Sequence, residues 1–394
     1  MAGQVPVHKN KNLYIIFSVT LMAVMGVASI SPAFPAMARY FDIDKEQIGW
    51  LITAFTLPGV FLTPFFGVIA DRFGRKIVLV PALFLFAVAG FACSQVNDFS
   101  VLVILRFVQG IGGASLGSLN ATLIGDIFNK EERPAAMGYN ASVLSIATAS
   151  YPFFGGALAM LGWNYPFYFP LLAIPVGLLV MFGLKNPDPR GGEAFRDYIR
   201  AALNSVLNKQ VYALFALNVL TFIILYGSYL TFFPLIMDAK FGSNSFIIGT
   251  VMSVSSITTA LTSALNGRLN KIYSPAILLR FAYGFYILSL VIVPFVSNQW
   301  LMFLPAVFFG IAQGINMPNI QTMLLSLAPM KHRGAFMSVN GMVLRLGQTL
   351  GPVFAGAFSA IGGAEYAFYG GAFVAFIMIL IVVFGLSGEF EEKH

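Results

Sequence analysis

The sequence predicts an all-α membrane protein with twelve transmembrane helices in two pseudo-symmetric six-helix bundles. Three observations carry that prediction. Of 394 residues, 58% are hydrophobic and only 10% are charged, whereas soluble domains run near ~25% charged. The apolar residues gather into twelve stretches, each close to the ~20 residues a helix needs to cross ~30 Å of hydrocarbon. The second half of the chain repeats features of the first at a constant offset of 200 residues.

Taken in order, the spans cover 13–36, 47–69, 77–96, 99–123, 135–160, 165–184, 211–236, 246–267, 277–296, 300–325, 335–360 and 366–387. The first follows His8, Lys9 and Lys11 and shows no small-residue cleavage site, so it reads as a retained helix rather than a signal peptide. The basic residues test the count. With both termini on one side, eighteen of the 23 Lys and Arg residues fall on that side. Arg39, Lys45 and Lys240 fall on the other, and Arg106 and Arg345 lie inside spans. Loops rich in Lys and Arg stay in the cytoplasm. The expected placement is therefore multi-pass in the plasma membrane, a bacterial inner membrane, with both termini cytoplasmic. The net charge of +7 is then a matter of topology, and no nucleic-acid partner is expected.

Between spans six and seven lies the longest loop, opening with Pro187, Pro189, Gly191 and Gly192, which are breaker residues. Phe195, Tyr198, Ile199, Ala202, Leu203, Val206 and Leu207 then fall on one helical face, as an amphipathic surface helix requires. The expected organisation is an N-terminal six-helix bundle over 1–184, a cytoplasmic linker over 185–210 and a C-terminal six-helix bundle over 211–394. The repeat is clearest where Arg133, Ala135, Met137, Asn140, Val143, Leu144, Pro152, Phe154, Gly156 and Ala157 recur 200 residues later. Gly67/Gly267 and Gly110/Gly310 share the offset. Two parallel six-helix repeats are a transporter architecture, with a substrate site between them near the midplane.

Residues 67–76 read Gly-Val-Ile-Ala-Asp-Arg-Phe-Gly-Arg-Lys. Gly67 permits a close helix approach, Gly74 a sharp turn, and Asp71 stands where helix 11 begins, at a helix N-terminus that attracts an anion. The bland reading is that Arg72, Arg75 and Lys76 only anchor topology. The decapeptide resembles the signature of the major facilitator superfamily at every defined position, and with twelve spans in two halves the resemblance covers the whole chain. It implies that Asp71 meets helix 11 when the cavity faces outward, and that Arg75 pairs with an acid at the inner end of helix 4, here Asp126. The second copy has decayed, with Lys271 and Ser274 at the Asp71 and Gly74 positions.

Residues 106–114, Arg-Phe-Val-Gln-Gly-Ile-Gly-Gly-Ala, resemble the family's second motif, with Gly113 at a position where the family carries Ala. In that family the arginine is linked to proton handling. A packing arginine bonded to carbonyls is the alternative for Arg106. The export-associated third motif is incomplete in helix 5, where Ala147 and Tyr151 replace two glycines before Pro152, Gly155 and Gly156. Helix 11 holds the fuller copy in Gly347, Gly351, Pro352 and Gly356.

Arg345 lies ~17 Å into helix 11 at 1.5 Å per residue, close to the bilayer centre. Its repeat partner is Ser145, and every Asp and Glu sits in a loop or at a span end. A midplane arginine faces a watery cavity or a partner, so a cavity here would be positive. Gln109, Asn140, Asn218, Tyr226, Tyr229, Gln313, Asn316, Asn340 and Gln348 recur at helical spacing as candidate cavity residues, with interhelical hydrogen bonding as the alternative for each.

A single cysteine, Cys93, and three scattered histidines offer no disulfide framework and no metal cluster, and no phosphate-binding glycine-lysine loop exists. No cofactor is expected. No His, Asp, Glu, Ser and Cys constellation at one depth suggests an enzyme. The function expected is secondary active transport by alternating access. The resemblance to the twelve-helix drug:proton antiporter branch implies proton-coupled export of a lipophilic or amphipathic small molecule. The partners expected are that substrate, protons and the lipid bilayer, and the protein is expected to act as a monomer. The alternative is a transporter of an anionic substrate such as an organic acid or amphiphilic lipid, in either direction, using Arg345 in the cavity.

Overall fold

The computed structural model describes residues 7, 10–129, 131–184, 208–328 and 333–386. The linker predicted over 185–210 lies almost wholly outside the described residues. Among the described residues, eleven helical segments are long and apolar enough to cross a membrane. They are α1 (Lys11–Phe41), α2 (Gln47–Phe73), α3 (Arg75–Cys93), α4 (Phe99–Ile127), α5 (Arg133–Ala159), α6 (Tyr165–Gly183), α7 (Lys209–Phe241), α8 (Ser245–Ile272), α9 (Pro275–Phe295), α10 (Gln299–Leu327) and α12 (Tyr366–Gly385). The twelfth, α11 (Arg333–Gly362), is 30 residues long and carries Asn340, Arg345 and Thr349, which bond to other helices, with Gln348 bonded to Arg345.

The termini of the described chain, Arg72 to Lys76, Arg133, Lys209 and Arg268 share one face, termed here the basic face; Arg39, Lys45 and Lys240 mark the far face. Caps and breakers set the element ends. Asn10, Asp98, Asn208, Asn244 and Ser274 each accept a first-turn N–H at the start of a helix, which satisfies a donor with no intrahelical partner. Gly74 separates α2 from α3 at φ 98°, a left-handed value that favours glycine.

The 200-residue repeat is physical. A Cβ on Gly110 would strike the carbonyl of Phe55, and one on Gly310 would strike the carbonyl of Ser255, so α4 packs on α2 as α10 packs on α8. Across the bundle interface, Gly49 of α2 abuts Pro352 of α11, and Gly249 of α8 abuts Pro152 of α5. Both pairs keep the same offset. Small residues let backbones approach closely where no hydrophobic force joins helices.

Both leading helices are broken. In α1 the α-helix ends at Ala28 and a short 3-10 turn over Ser31–Ala33 precedes the last segment. In α7 a π-helical stretch runs over Ile224–Phe232. Proline explains where the freed groups go. Pro234 has no N–H to give the carbonyl of Leu230, and the Ser31 hydroxyl of the other bundle donates to it instead. Gly227 lets this π-helical stretch lie directly on Gly351 of α11.

Candidate functional site

The two bundles are sealed at the far face. Arg39 Nη1 lies 2.6 Å from Asp238 Oδ2, Ser359 donates to Glu46 at 2.6 Å, and Thr53 donates to the Thr349 carbonyl at 3.1 Å. A crevice of about 170 Å³ walled by Glu46, Trp50, Pro352 and Val353 opens at this part of the interface, below the ~300 Å³ at which ligand pockets begin.

Toward the basic face the bundles part. A Cβ on Gly341 of α11 would lie 3.8 Å from Thr63 of α2, and one on Gly67, a turn further along α2, would meet nothing within 4 Å among the described residues. No residue of α5 from Met137 to Ser142, and none of α8 from Ser256 to Leu265, is buried. Gly67 was expected to admit a close helix, and here no described residue would meet a Cβ on it.

At that parted end, Arg75 Nη2 lies 2.5 Å from Asp71 Oδ1 and Arg75 Nε 3.0 Å from Asp126 Oδ2. Asp71 thus pairs with Arg75 across the Gly74 turn; the contact that the sequence suggested with the start of α11 falls at side chains outside the described residues. The resemblance ties that contact to an outward-facing cavity, and this structure is parted on the opposite face. Arg72 lies over the neighbouring ring of Phe73 at 5.4 Å.

Arg106 does not face the cleft. It is 0% exposed and donates to Leu51 O (3.1 Å), Gly26 O (2.8 Å) and Gln109 Oε1 (2.6 Å), with its guanidinium 4.3 Å from the Phe55 ring centroid. The Gly26 carbonyl is available because the Ile30 N–H bonds to Val27 at the α1 break. Arg106 therefore completes a defect in α1, and Gln109 serves it.

The candidate asparagines tie each bundle internally. Thr20 donates to Asn140 at 2.5 Å and accepts from Asn120, joining α1, α4 and α5. Asn316 donates to Thr221 at 2.8 Å and Asn218 to Asn340 at 2.8 Å, joining α7, α10 and α11. Asn218, Asn316, Asn340 and Tyr229 are all buried, so none lines the cleft. Tyr229 stacks on Phe309 at 4.1 Å, and Gln313 accepts from Tyr286.

Arg345 differs. It is half-buried and crosses the interface to Gly113 O of α4 at 3.3 Å, with Gln348 Oε1 also at 3.3 Å. Its stem lies against Gly59 of α2, where a Cβ would come within 2.9 Å. The Tyr226 phenol is in electrostatic range. Sequence reasoning missed Thr20, Phe55, Gly59 and the Arg39–Asp238 and Glu46–Ser359 contacts. The recurrence of Gly49 at Gly249 could have pointed to the interface; the ion pair has no such signal.

The Major Facilitator Superfamily profile matches residues 16–242 and 215–393. Multidrug resistance protein 1 of Bacillus subtilis (strain 168) is 24% identical over 92% of both chains. Quinolone resistance protein NorA of Staphylococcus aureus (strain COL) is 22% identical over 88% of this chain and 90% of its own. Among solved structures, the nucleoside transporter NupG superposes with a TM-score of 0.78 at 13% identity, covering 95% of this chain and 99% of that one. With that fold, two repeat-related bundles and a multi-pass membrane architecture, the chain belongs to the major facilitator superfamily and is a transporter rather than an enzyme.

Proposed function

We propose that this protein exports a lipophilic or amphipathic small molecule by alternating access, driven by protons moving the other way. One observation carries the reading: the bundles are parted at the basic face and sealed at the far face, by the Arg39–Asp238 and Glu46–Ser359 contacts and by the repeat-related Gly49–Pro352 and Gly249–Pro152 contacts. An interface that closes by small-residue packing at one end can close at the other by rocking about the middle. The basic face is the cytoplasmic one on charge, so this is the state that admits substrate from inside, with both termini cytoplasmic in a cell membrane. Relatives named for multidrug and quinolone resistance support the export direction.

In this reading the bundles 1–184 and 211–394 are the rocking units, joined by 185–210. When the inner halves close, Asp71 leaves Arg75 and meets the N-terminal end of α11. The test is flux of an amphipathic fluorescent dye into inverted membrane vesicles under an imposed proton gradient. Accumulation should vanish when the gradient is collapsed, and Asp71→Asn should remove most of it at unchanged protein level. Gradient-independent accumulation, or full flux in Asp71→Asn, would refute the reading.

A further inference from the structure

The two membrane-embedded arginines are coordinated in opposite ways. Arg106 is fully enclosed, with three acceptors at 2.6–3.1 Å and an aromatic face. Arg345 has two acceptors, both at 3.3 Å and both neutral, longer than the ~2.7–2.9 Å of a charge-assisted bond. A guanidinium offers five N–H donors in a planar fork, so this one keeps donors to spare. Among the described residues Arg39, Arg75 and Lys240 are held in ion pairs, and Arg345 has no acidic partner.

Position matters as much as coordination. Arg345 stands at the apex of the cleft. Toward the far face, Thr349 meets Thr53 and Thr56 and the bundles are in contact. Toward the basic face, a Cβ on Gly67 would meet nothing within 4 Å among the described residues. The guanidinium lies between these two regions, and it belongs to one bundle while its carbonyl partner belongs to the other. Gly113 supplies that carbonyl, and Gly59 supplies the room for the stem. A single embedded positive charge is costly unless something neutralises it.

We propose that Arg345 is the headgroup site of the transported molecule, and that the substrate is an amphiphile bearing a carboxylate or similar planar anion. This rests on the export reading above and narrows its substrate class. The anion replaces the two long bonds to Gly113 and Gln348 with a bidentate pair, and in doing so releases the one midplane side-chain tie from α11 to α4. Binding is thereby coupled to the freedom of the bundles to rock. The apolar body of the substrate occupies the cleft on the basic side.

Three probes of matched body test it: pyrenebutanoate, pyrenebutanol and pyrenebutyl-trimethylammonium. Equilibrium binding to the purified full chain in neutral detergent is read by fluorescence anisotropy. The wild-type protein should prefer the butanoate over the alcohol and the alcohol over the ammonium. Arg345→Gln should weaken the butanoate roughly ten- to hundredfold, the range for losing a charged hydrogen bond, and leave the alcohol within a factor of about two, since the alcohol makes no charged bond. Arg345→Lys should fall between, since it keeps the charge and loses the fork. If the ammonium binds wild type most tightly, or if Arg345→Gln binds butanoate normally, the proposal fails. The wild-type headgroup order decides alone where a variant does not fold. Gradient-driven flux of the three probes in proteoliposomes separates the two readings. Flux of alcohol or ammonium with no butanoate preference sinks the anion site and leaves export standing. Butanoate binding at Arg345 with no outward flux of any probe sinks export and leaves the site.

Discussion

Replacing Arg106 tests whether a buried membrane arginine serves packing or coupling. Its guanidinium bonds the Gly26 carbonyl left open by the α1 break, the Leu51 carbonyl of α2 and the Gln109 side chain. Bonds to a charged donor are worth ~1.5–3 kcal/mol each, and a desolvated cation over an aromatic ring about 2 kcal/mol. Dehydrating the guanidinium costs several kcal/mol against this. Removing the guanidinium leaves neutral acceptors buried and unpaired but relieves that dehydration, so the net loss is ~1–3 kcal/mol. Arg106→Met keeps the length and removes every donor, so it should lose about that amount. Arg106→Lys keeps the charge but cannot reach α1 and α2 together, because the fork is gone, and should lose about half. The assay is the fraction of monodisperse protein surviving a heat ramp in neutral detergent, paired with dye flux at equal folded protein. A normal heat transition in Arg106→Met, together with flux that no longer responds to the proton gradient, would refute the packing argument and move Arg106 into the coupling machinery.

Three further outcomes follow from the interface. Gly249→Val places a side chain against the Pro152 carbonyl; overpacking of ~1–3 kcal/mol falls only on the far-sealed state, so spin labels on introduced far-face cysteines should move apart and dye flux should fall. Unchanged label distances would show that α5 and α8 do not seal by this contact. Asp238→Asn removes an ion pair whose Arg39 side chain is 63% exposed. Such pairs are worth at most ~1 kcal/mol, so the same labels should report less than about a fivefold change in the open fraction; a complete switch would mean the pair is the main latch. Asp126→Asn should lower thermal survival more than Asp71→Asn, because Asp126 is 10% exposed and Asp71 36%; the reverse order would overturn the view that the Arg75–Asp126 pair holds α3 to α4.

The amino-acid sequence alone determined that the chain spans a membrane twelve times in two related bundles. Hydropathy, charge asymmetry and a 200-residue repeat are each written into local composition, and a bilayer leaves a helix of that apolarity no other way to satisfy its backbone. It also singled out Asp71, Arg75 and Asp126, because charged residues around a turn glycine are informative without any fold. What tertiary structure decided is which polar residue faces what. Asn140, Asn218, Asn316 and Asn340 look like cavity residues by helical spacing, yet each spends its amide on a neighbouring helix, since in the bundle interior an unpaired amide is costly. Arg106 and Arg345 are the same residue at embedded positions. One is closed off because a break in α1, fifty residues and more away in sequence, exposes a carbonyl beside it. The other is left half-coordinated because two bundles part just below it. Neither distinction is encoded near the arginine itself; both depend on long-range contacts that exist only once the helices have packed.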